Sequence, residues 1–376
     1  MANHISDILS IWFPLKDEQD WVLASIIETE GSSYRKAGAI MLINDLGQYF
    51  GLLSGGCLES DIMRHARYCM QSGSDKIIEY DMRDDADLAW QLGLGCGGRV
   101  KILLQPVGQN NQYLNLPVLL DALKSGQEKY YAHDLSGASQ NYVVSSSTEL
   151  VDPTAYFLSF HQPQVALAVF GGGVDARPLV ALAVNMGWEV YLIDHRSAYA
   201  REPYFPGCKA IIRQPCDEIR HVLVQEPAHK NGHNNEQVNE QETLRGKEQS
   251  TVKQSSQQAG HEEKMNDMAW LQRFNAAVVM THNVEQDAAA LAVIEKSAAK
   301  YVGLLGPTHR TERVFDVLKM AVSDYQKPLW NPMGLALGGE LPESIALSVI
   351  SEIHQTLFSG AGGSISLPQS MTNQAE

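Results

Sequence analysis

Hydrophobic and polar positions follow one rhythm in the first part of the chain and another in the second. Ile5–Phe13 reads as a short helix, and Trp21–Ile27 is an apolar run of strand length. Ala39–Ile43 and Tyr49–Leu53 read as short strands joined across an Asn-Asp-Leu-Gly turn at 44–47. Leu58–Met70 places Ile62, Ala66 and Met70 on one helical face. Lys76–Tyr80 and Val100–Leu104 read as further strands, so residues 1–107 form a mixed α+β domain. From 108 to 163 the pattern weakens to strand-like runs such as Tyr142–Ser145 between Asp-, Ser- and Gln-rich turns, which suits a connecting region.

The second rhythm is clearer. Val165–Phe170 is continuously apolar and runs into Gly171-Gly172-Gly173. A helix from about Asp175 to Met186 follows, and Gly187 stops it. Val190–Ile193 is a second strand ending at Asp194, and Ala210–Ile212 suits a third. Ala277–Met280, a helix near Gln286–Lys296, Tyr301–Leu305 and a helix near Pro342–Leu357 continue the alternation. Buried strands alternating with helices imply a parallel sheet covered on both faces. The expected fold class is therefore α/β: an N-terminal α+β domain, then a doubly wound parallel sheet over 164–360. Residues 226–266 break the rhythm, with no aromatic residue and only Val238, Leu244, Val252 and Met265 as large apolar ones. Such a stretch buries too little apolar surface to offset its ordering entropy, so it reads as a disordered polar insertion. The Gly/Ser/Gln-rich tail, 361–376, reads as flexible.

Charge narrows the function. With 29 Lys+Arg against 44 Asp+Glu, the net charge is −15. That balance argues against nucleic acid and against an anionic membrane surface as partners. No apolar run approaches the ~20 residues that cross a bilayer. The opening Met-Ala-Asn-His-Ile-Ser-Asp has no basic n-region, and five scattered cysteines do not make a disulfide framework. A soluble, cytoplasmic protein is the expectation.

Gly171-Gly172-Gly173-Val174-Asp175-Ala176 fits G-x-G-x-x-G/A between a strand and a helix, the Rossmann context. Gly171 permits the tight turn, Gly173 lets backbone approach a phosphate, and Ala176 keeps helix and sheet close. The helix start offers N–H groups and a positive dipole end to an anion. Asp194 follows Gly173 by 21 residues, where a carboxylate takes a ribose hydroxyl pair. A sheet with an idle glycine loop gives the same pattern. Asp175 competes with a phosphate at the helix start; Arg177 and Arg196 are candidates to offset it or are simply solvated.

Two N-terminal segments carry cysteine among glycines. In Ser54-Gly55-Gly56-Cys57-Leu58-Glu59, Ser54 as N-cap would put Cys57 in a first helical turn, where the dipole favours thiolate. In Gly95-Cys96-Gly97-Gly98 the glycines let a ligand approach the backbone. Neither has C-x-x-C spacing, which argues against a closed zinc site, and both also suit small residues buried at tight turns. Cys69, Cys208 and Cys216 read as structural. Ser32, Ser33 and Arg35 lie in a donor-rich loop suited to phosphate or carboxylate. His282 follows a core strand at its C-terminal end, where open α/β sheets bind ligands.

Taken together, Glu28–Arg35, Ser54–Glu59 and Gly95–Gly98 resemble the N-terminal domain of the xanthine dehydrogenase accessory factors, the XdhC/CoxI family. Val169–Gly173, Ile193–Arg196, Met280–His282, Tyr301–Gly306 and Pro342–Ser348 resemble that family's Rossmann domain. Two positions depart from it: Val174 stands where the family often has histidine, and His195 interrupts its common Asp-Asp-Arg. The resemblance implies a molybdenum-cofactor chaperone that binds and protects the cofactor, as molybdopterin or a dinucleotide form. It would support sulfuration and insertion into an apo molybdenum hydroxylase, with a cysteine desulfurase as a further partner and a homodimer as one assembly. On this reading Ser32, Arg35, Cys57, Cys96, Gly171, Gly173, Ala176, Asp194, Arg196 and His282 contact the cofactor, and Cys96 and Cys57 meet its molybdenum or sulfur. The competing class is an NAD(P)-dependent oxidoreductase, which the glycine fingerprint and Asp194 support directly and which leaves the cysteine turns unexplained. An interaction scaffold is the third.

Overall fold

The computed structural model describes residues 4–56, 58–81, 98–149, 152, 154–219, 223–224, 263–264 and 269–364. Cys57, Cys96, most of the 226–266 insertion and most of the 361–376 tail lie outside the described residues. The chain divides into two compact units, Met1–Val165 with Asn185–Trp188, and Ala166–Val184 with Glu189–Glu376.

The first unit contains α1 (Ile5–Trp12), β1 (Trp21–Glu30), β2 (Ile40–Asn44), β3 (Tyr49–Gly51), α2 (Glu59–Ser72), β4 (Lys76–Asp81), β5 (Arg99–Val107), α3 (Leu116–Lys124), β6 (Lys129–Asp134), β7 (Tyr142–Val144) and β8 (Tyr156–His161). An antiparallel sheet runs β3-β2-β1-β5-β4. Its central strands are apolar on both faces because both faces are covered. Val22, Ala24, Ile26 and Met41 pack with Ile62, Ala66 and Cys69 of α2. Trp21, Leu23, Ile40 and Leu42 pack with Ile8, Leu9 and Trp12 of α1 and Leu119, Leu120 and Leu123 of α3. Residues 108–163, expected as a connection, hold α3 and a second antiparallel sheet, β7-β6-β8. That sheet escapes a hydrophobic pattern because its buried positions include His133, Ser159 and His161, linked through Ser159: its Oγ lies 2.8 Å from His133 Nε2 and 2.7 Å from His161 Nε2.

The second unit contains β9 (Ala166–Phe170), α4 (Ala176–Asn185), β10 (Glu189–Ile193), β11 (Ala210–Ile212), β12 (Leu223–Val224), β13 (Glu263–Lys264), β14 (Ala276–Val279), α5 (Val284–Ile294), β15 (Tyr301–Leu304), α6 (Thr308–Leu318), β16 (Leu329–Trp330) and α7 (Pro342–Phe358). Six strands form a parallel sheet in the order β11-β10-β9-β14-β15-β16. Renumbered within the unit this is 3-2-1-4-5-6, the Rossmann order, and its direction reverses between β9 and β14. β9 and β14 are buried at every position, which explains their unbroken apolar runs. Glu263 and Lys264, inside the expected insertion, pair with Val224 and Leu223 as a short antiparallel ladder. Ligands of open α/β sheets bind outside the carboxyl ends of the strands at such a reversal, so the loops after β9, β10 and β14 form the candidate site.

Candidate functional site

The three glycines after β9 serve different ends. Gly171 has φ +109°, and a Cβ there would meet the Met280 carbonyl oxygen at 2.5 Å. Glycine is required at 171 so that the loop can pass the end of β14. At Gly172 a Cβ would meet the Tyr199 carbonyl oxygen at 3.2 Å. At Gly173 it would meet only the His282 ring, at 3.9 Å, an ordinary contact. Packing inside the unit therefore gives no reason for glycine at 173. Ala176, fully buried, opens α4. Among the described residues, the N–H groups of Gly173, Val174 and Asp175 have no acceptor, as expected ahead of a helix start.

Asp194 ends β10 and is 5% exposed. Its Oδ1 accepts from the Arg196 backbone N–H and from Arg196 Nε, both at 2.9 Å. Its Oδ2 accepts from Gly172 N–H at 2.8 Å and Arg196 Nη2 at 2.7 Å. Burial pushes this carboxyl upward, but the Arg196 guanidinium and the two backbone N–H groups outweigh it and hold the pKa below the ordinary value. Asp194 thus clamps the glycine loop to the loop after β10. Arg196 in turn lies over the Tyr199 ring, 4.1 Å from its centroid, and Arg177 lies over Tyr204 at 3.9 Å. The group facing Asp175 is His282, whose Nε2 lies 3.1 Å from Asp175 Oδ2. His282 has φ +60°, a left-handed conformation that turns the loop after β14.

A cleft of about 170 Å³ opens beside this clamp, lined by Asp194, Arg196, Cys216, Thr281, Asn283 and Gln286 among others. Burial pushes the Cys216 thiol up to about 12, so it stays protonated and inert as a nucleophile. Beneath the cleft, Thr281 Oγ1 donates to Asp287 of α5, which is 1% exposed and is ion-paired with Arg310 of α6. Gly306, at φ +122°, leaves the space that the Arg310 side chain fills. Asn331 donates to the carbonyls of Leu304 and Gly306, both at 2.9 Å, and so ties the ends of β15 and β16 together. Among the described residues, no group of three or more His, Cys, Asp and Glu side chains could hold a metal ion.

In the first unit the antiparallel order brings the loop after β1, the loop after β3 and Gly98, which leads into β5, to one end of the sheet. Gly98 packs so closely on the backbone of Ser32 and Glu30 that a Cβ there would overlap the Ser32 carbonyl oxygen at 2.1 Å. A Cβ at Gly55 would lie 3.6 Å from the Tyr34 ring. Arg99 ties β5 to Glu28 and Glu30 of β1 and Glu79 of β4. Ser54 does not cap α2, which starts at Glu59 with Leu58 as N-cap. Instead Ser54 Oγ accepts from Leu58 N–H at 3.0 Å and donates to Glu59, and Glu59 accepts from Ser54 N–H at 2.9 Å. This closes a short loop on a buried carboxylate. In the first loop the Ser33 hydroxyl is buried without a partner, and Arg35 has no partner among the described residues.

Residues 167–353 match the family described as the XdhC Rossmann domain, and residues 15–81 match the XdhC and CoxI family. The chain belongs to the XdhC/CoxI family. It is 28% identical over 366 residues to a probable xanthine dehydrogenase subunit of Bacillus subtilis, covering 91% of this chain and 94% of that protein. It is 25% identical over 173 residues to the molybdenum cofactor insertion chaperone PaoD of Escherichia coli, covering 46% of this chain and 52% of that protein. A crystal structure of a xanthine dehydrogenase from Bacillus halodurans has a similar fold, with a TM-score of 0.68 and 25% identity over 98% of this chain and 99% of that one.

Within this XdhC-type Rossmann unit Gly171, Gly173, Ala176 and His282 gather where β9 turns into α4, and Asp194 and Arg196 line the cleft beside that turn. Ser32 and Arg35 belong to the other unit, and Cys57 and Cys96 lie outside the described residues. Asp287, Arg310 and Asn331 support the cleft and belong to none of the motifs singled out from sequence. Arg310, three residues after Gly306-Pro307, carries a local signal, whereas Asp287 does not stand out beside Glu285 and Gln286 in the polar first turn of α5. Among the described residues no helix is long and apolar enough to cross a membrane.

Proposed function

We propose that this chain is a molybdenum-cofactor chaperone that holds and protects the cofactor and delivers it to the apo form of a molybdenum hydroxylase. Family membership and the insertion chaperone among its relatives support this reading. The structural observation that carries it is Gly173, a glycine whose Cβ would meet nothing closer than the His282 ring at 3.9 Å, beside three N–H groups that lack acceptors. That arrangement suits a phosphate at the start of α4, with the Asp175 carboxylate engaged by His282 beside it. When bound, the cofactor supplies a molybdenum centre soft enough to favour sulfur ligands. Cys96 and Cys57, each adjacent to glycine in the sequence, are the proposed sulfur contacts. Ser32 and Arg35 are proposed as further anion contacts. A cysteine desulfurase would supply the sulfur for maturation, and a homodimer is the proposed assembly.

The test is anaerobic purification followed by molybdenum and pterin analysis of the bound fraction. Gly173→Val is expected to lose the pterin while the protein keeps its thermal transition. Cys96→Ser is expected to lose molybdenum while Cys69→Ser, the control in a packed helix, retains it. Unchanged metal in a Cys57→Ser, Cys96→Ser double variant would return both thiols to packing. The 3-2-1-4-5-6 strand order also favours a second reading, an NAD(P)-dependent oxidoreductase. Tight NADH binding with turnover, and no pterin in the purified protein, would establish it in place of the first.

A further inference from the structure

We infer that Arg196 is the seat of a phosphomonoester, and that Asp194 is its anchor rather than an acceptor of ribose hydroxyls. The inference rests on the proposal that the Rossmann unit binds a phosphate-bearing cofactor, and it names the group that the cleft beside the glycine loop takes. A carboxylate has about four acceptor positions. Those of Asp194 are filled by Arg196 N, Arg196 Nε, Gly172 N and Arg196 Nη2, all within 2.9 Å. A ribose diol offers donors, and it would find no free acceptor without breaking the fork. Arg196 is in the opposite condition. A guanidinium carries about five N–H donors in a rigid plane, and the fork uses those on Nε and one on Nη2. The side chain is 36% exposed and lines the cleft, so its outer Nη edge is available to a ligand. The Tyr199 ring under the guanidinium fixes its plane. Among the described residues Asp194 is the only acid lining the cleft and is already neutralised, while Thr281, Asn283 and Gln286 opposite are neutral. A preoriented arginine fork of this kind matches phosphate geometry.

A phosphomonoester reaches this cleft on a ribose 2′ position, with the nucleotide's other phosphate on the glycine loop, or at the end of a pterin side chain. In the second case Arg196 rather than the start of α4 holds the pterin's one phosphate, and the loop at Gly173 packs on the rest of the cofactor. The experiment titrates the full chain calorimetrically with 2′,5′-ADP, ADP and inorganic phosphate, and separately with molybdopterin and its phosphatase-treated form. The variants are Arg196→Gln and, to keep the buried site neutral if that one unfolds, Asp194→Asn with Arg196→Gln. A ribose-borne phosphate is expected to make 2′,5′-ADP bind about tenfold tighter than ADP, and both variants erase the preference. A pterin-borne phosphate gives no nucleotide binding beyond that of inorganic phosphate. Phosphatase treatment then weakens molybdopterin binding about tenfold in the native protein and leaves it unchanged in the variants. ADP binding as tightly as 2′,5′-ADP, with Asp194→Asn alone weakening it, would overturn the inference, as would phosphate probes indifferent to Arg196. If those results came with pterin still co-purifying and still lost in Gly173→Val, the seat alone would be wrong. Absence of pterin from the native protein would remove the chaperone reading instead.

Discussion

Gly171 and Gly173 stand two residues apart in one loop, and the structure separates their roles sharply enough to predict opposite phenotypes for the same substitution. Gly171→Ala places a Cβ at φ +109°, outside the left-handed region that L-residues tolerate, and 2.5 Å from the Met280 carbonyl oxygen. The conformational strain costs about 1–3 kcal/mol. The overlap is with backbone at the end of a fully buried strand, which cannot swing aside, and adds roughly 1–3 kcal/mol. A total of about 2–6 kcal/mol corresponds to a fall of roughly 4–24 °C in Tm for a unit of about 200 residues. Gly173→Ala meets only the His282 ring at 3.9 Å and needs no unusual φ. It is expected to leave Tm unchanged or raise it slightly, by up to about 1 kcal/mol of unfolded-state entropy. The same methyl intrudes where a phosphate would rest on the N–H groups of residues 173–175, so the stable variant is the one that loses pterin. Differential scanning calorimetry and pterin fluorescence on the two variants provide the comparison. Equal melting temperatures, or a Gly173→Ala protein as destabilised as Gly171→Ala, would refute the division of roles.

Three further outcomes follow from the same geometry. Arg310→Met strips the ion-pair partner from Asp287, which is 1% exposed, and should cost about 3–5 kcal/mol by chemical denaturation; adding Asp287→Asn should recover most of the loss, and a double variant as weak as the single would contradict the account. Burial, reinforced by each one's neighbouring imidazole, lowers the His133 pKa to about 3 and the His161 pKa to about 4. Both sit below the ordinary 6.5, so the unfolded chain binds more protons and stability should fall as pH drops from about 6.5 towards 4, with no contribution above about 7. Denaturant midpoints between pH 4.5 and 7.5 should show that slope, and His161→Gln should flatten it. Ser54→Ala leaves Leu58 N–H without its acceptor and takes a donor from the buried Glu59, so a loss of about 1–3 kcal/mol is expected, against little change for the exposed Ser74→Ala.

What the sequence determined by itself was local. Continuous apolar runs at 166–170 and 276–279 and the glycine loop with its following helix can be read from composition and period, because burial on both faces and a tight strand-to-helix turn each impose a pattern on adjacent residues. The placing of Asp194 at the end of a strand was legible for the same reason. Its engagement was not: the fork that fills it comes from Arg196 and the glycine loop, and only the packed loops show that its acceptors are taken. The strands of β6 and β8 stayed hidden because they bury His133, Ser159 and His161, polar residues linked through Ser159, which reaches His133 across the sheet and His161 along its own strand. β16 is two residues long, too short for any period, whereas α6 carries a legible one, with Thr311, Val314 and Phe315 on a single buried face. The 3-2-1-4-5-6 order, the Asp287–Arg310 pair and the meeting of two N-terminal loops and Gly98 at one sheet end join residues tens of positions apart. Such contacts become favourable only once the intervening chain is ordered, so no window of sequence carries them, and the tertiary structure alone decides them.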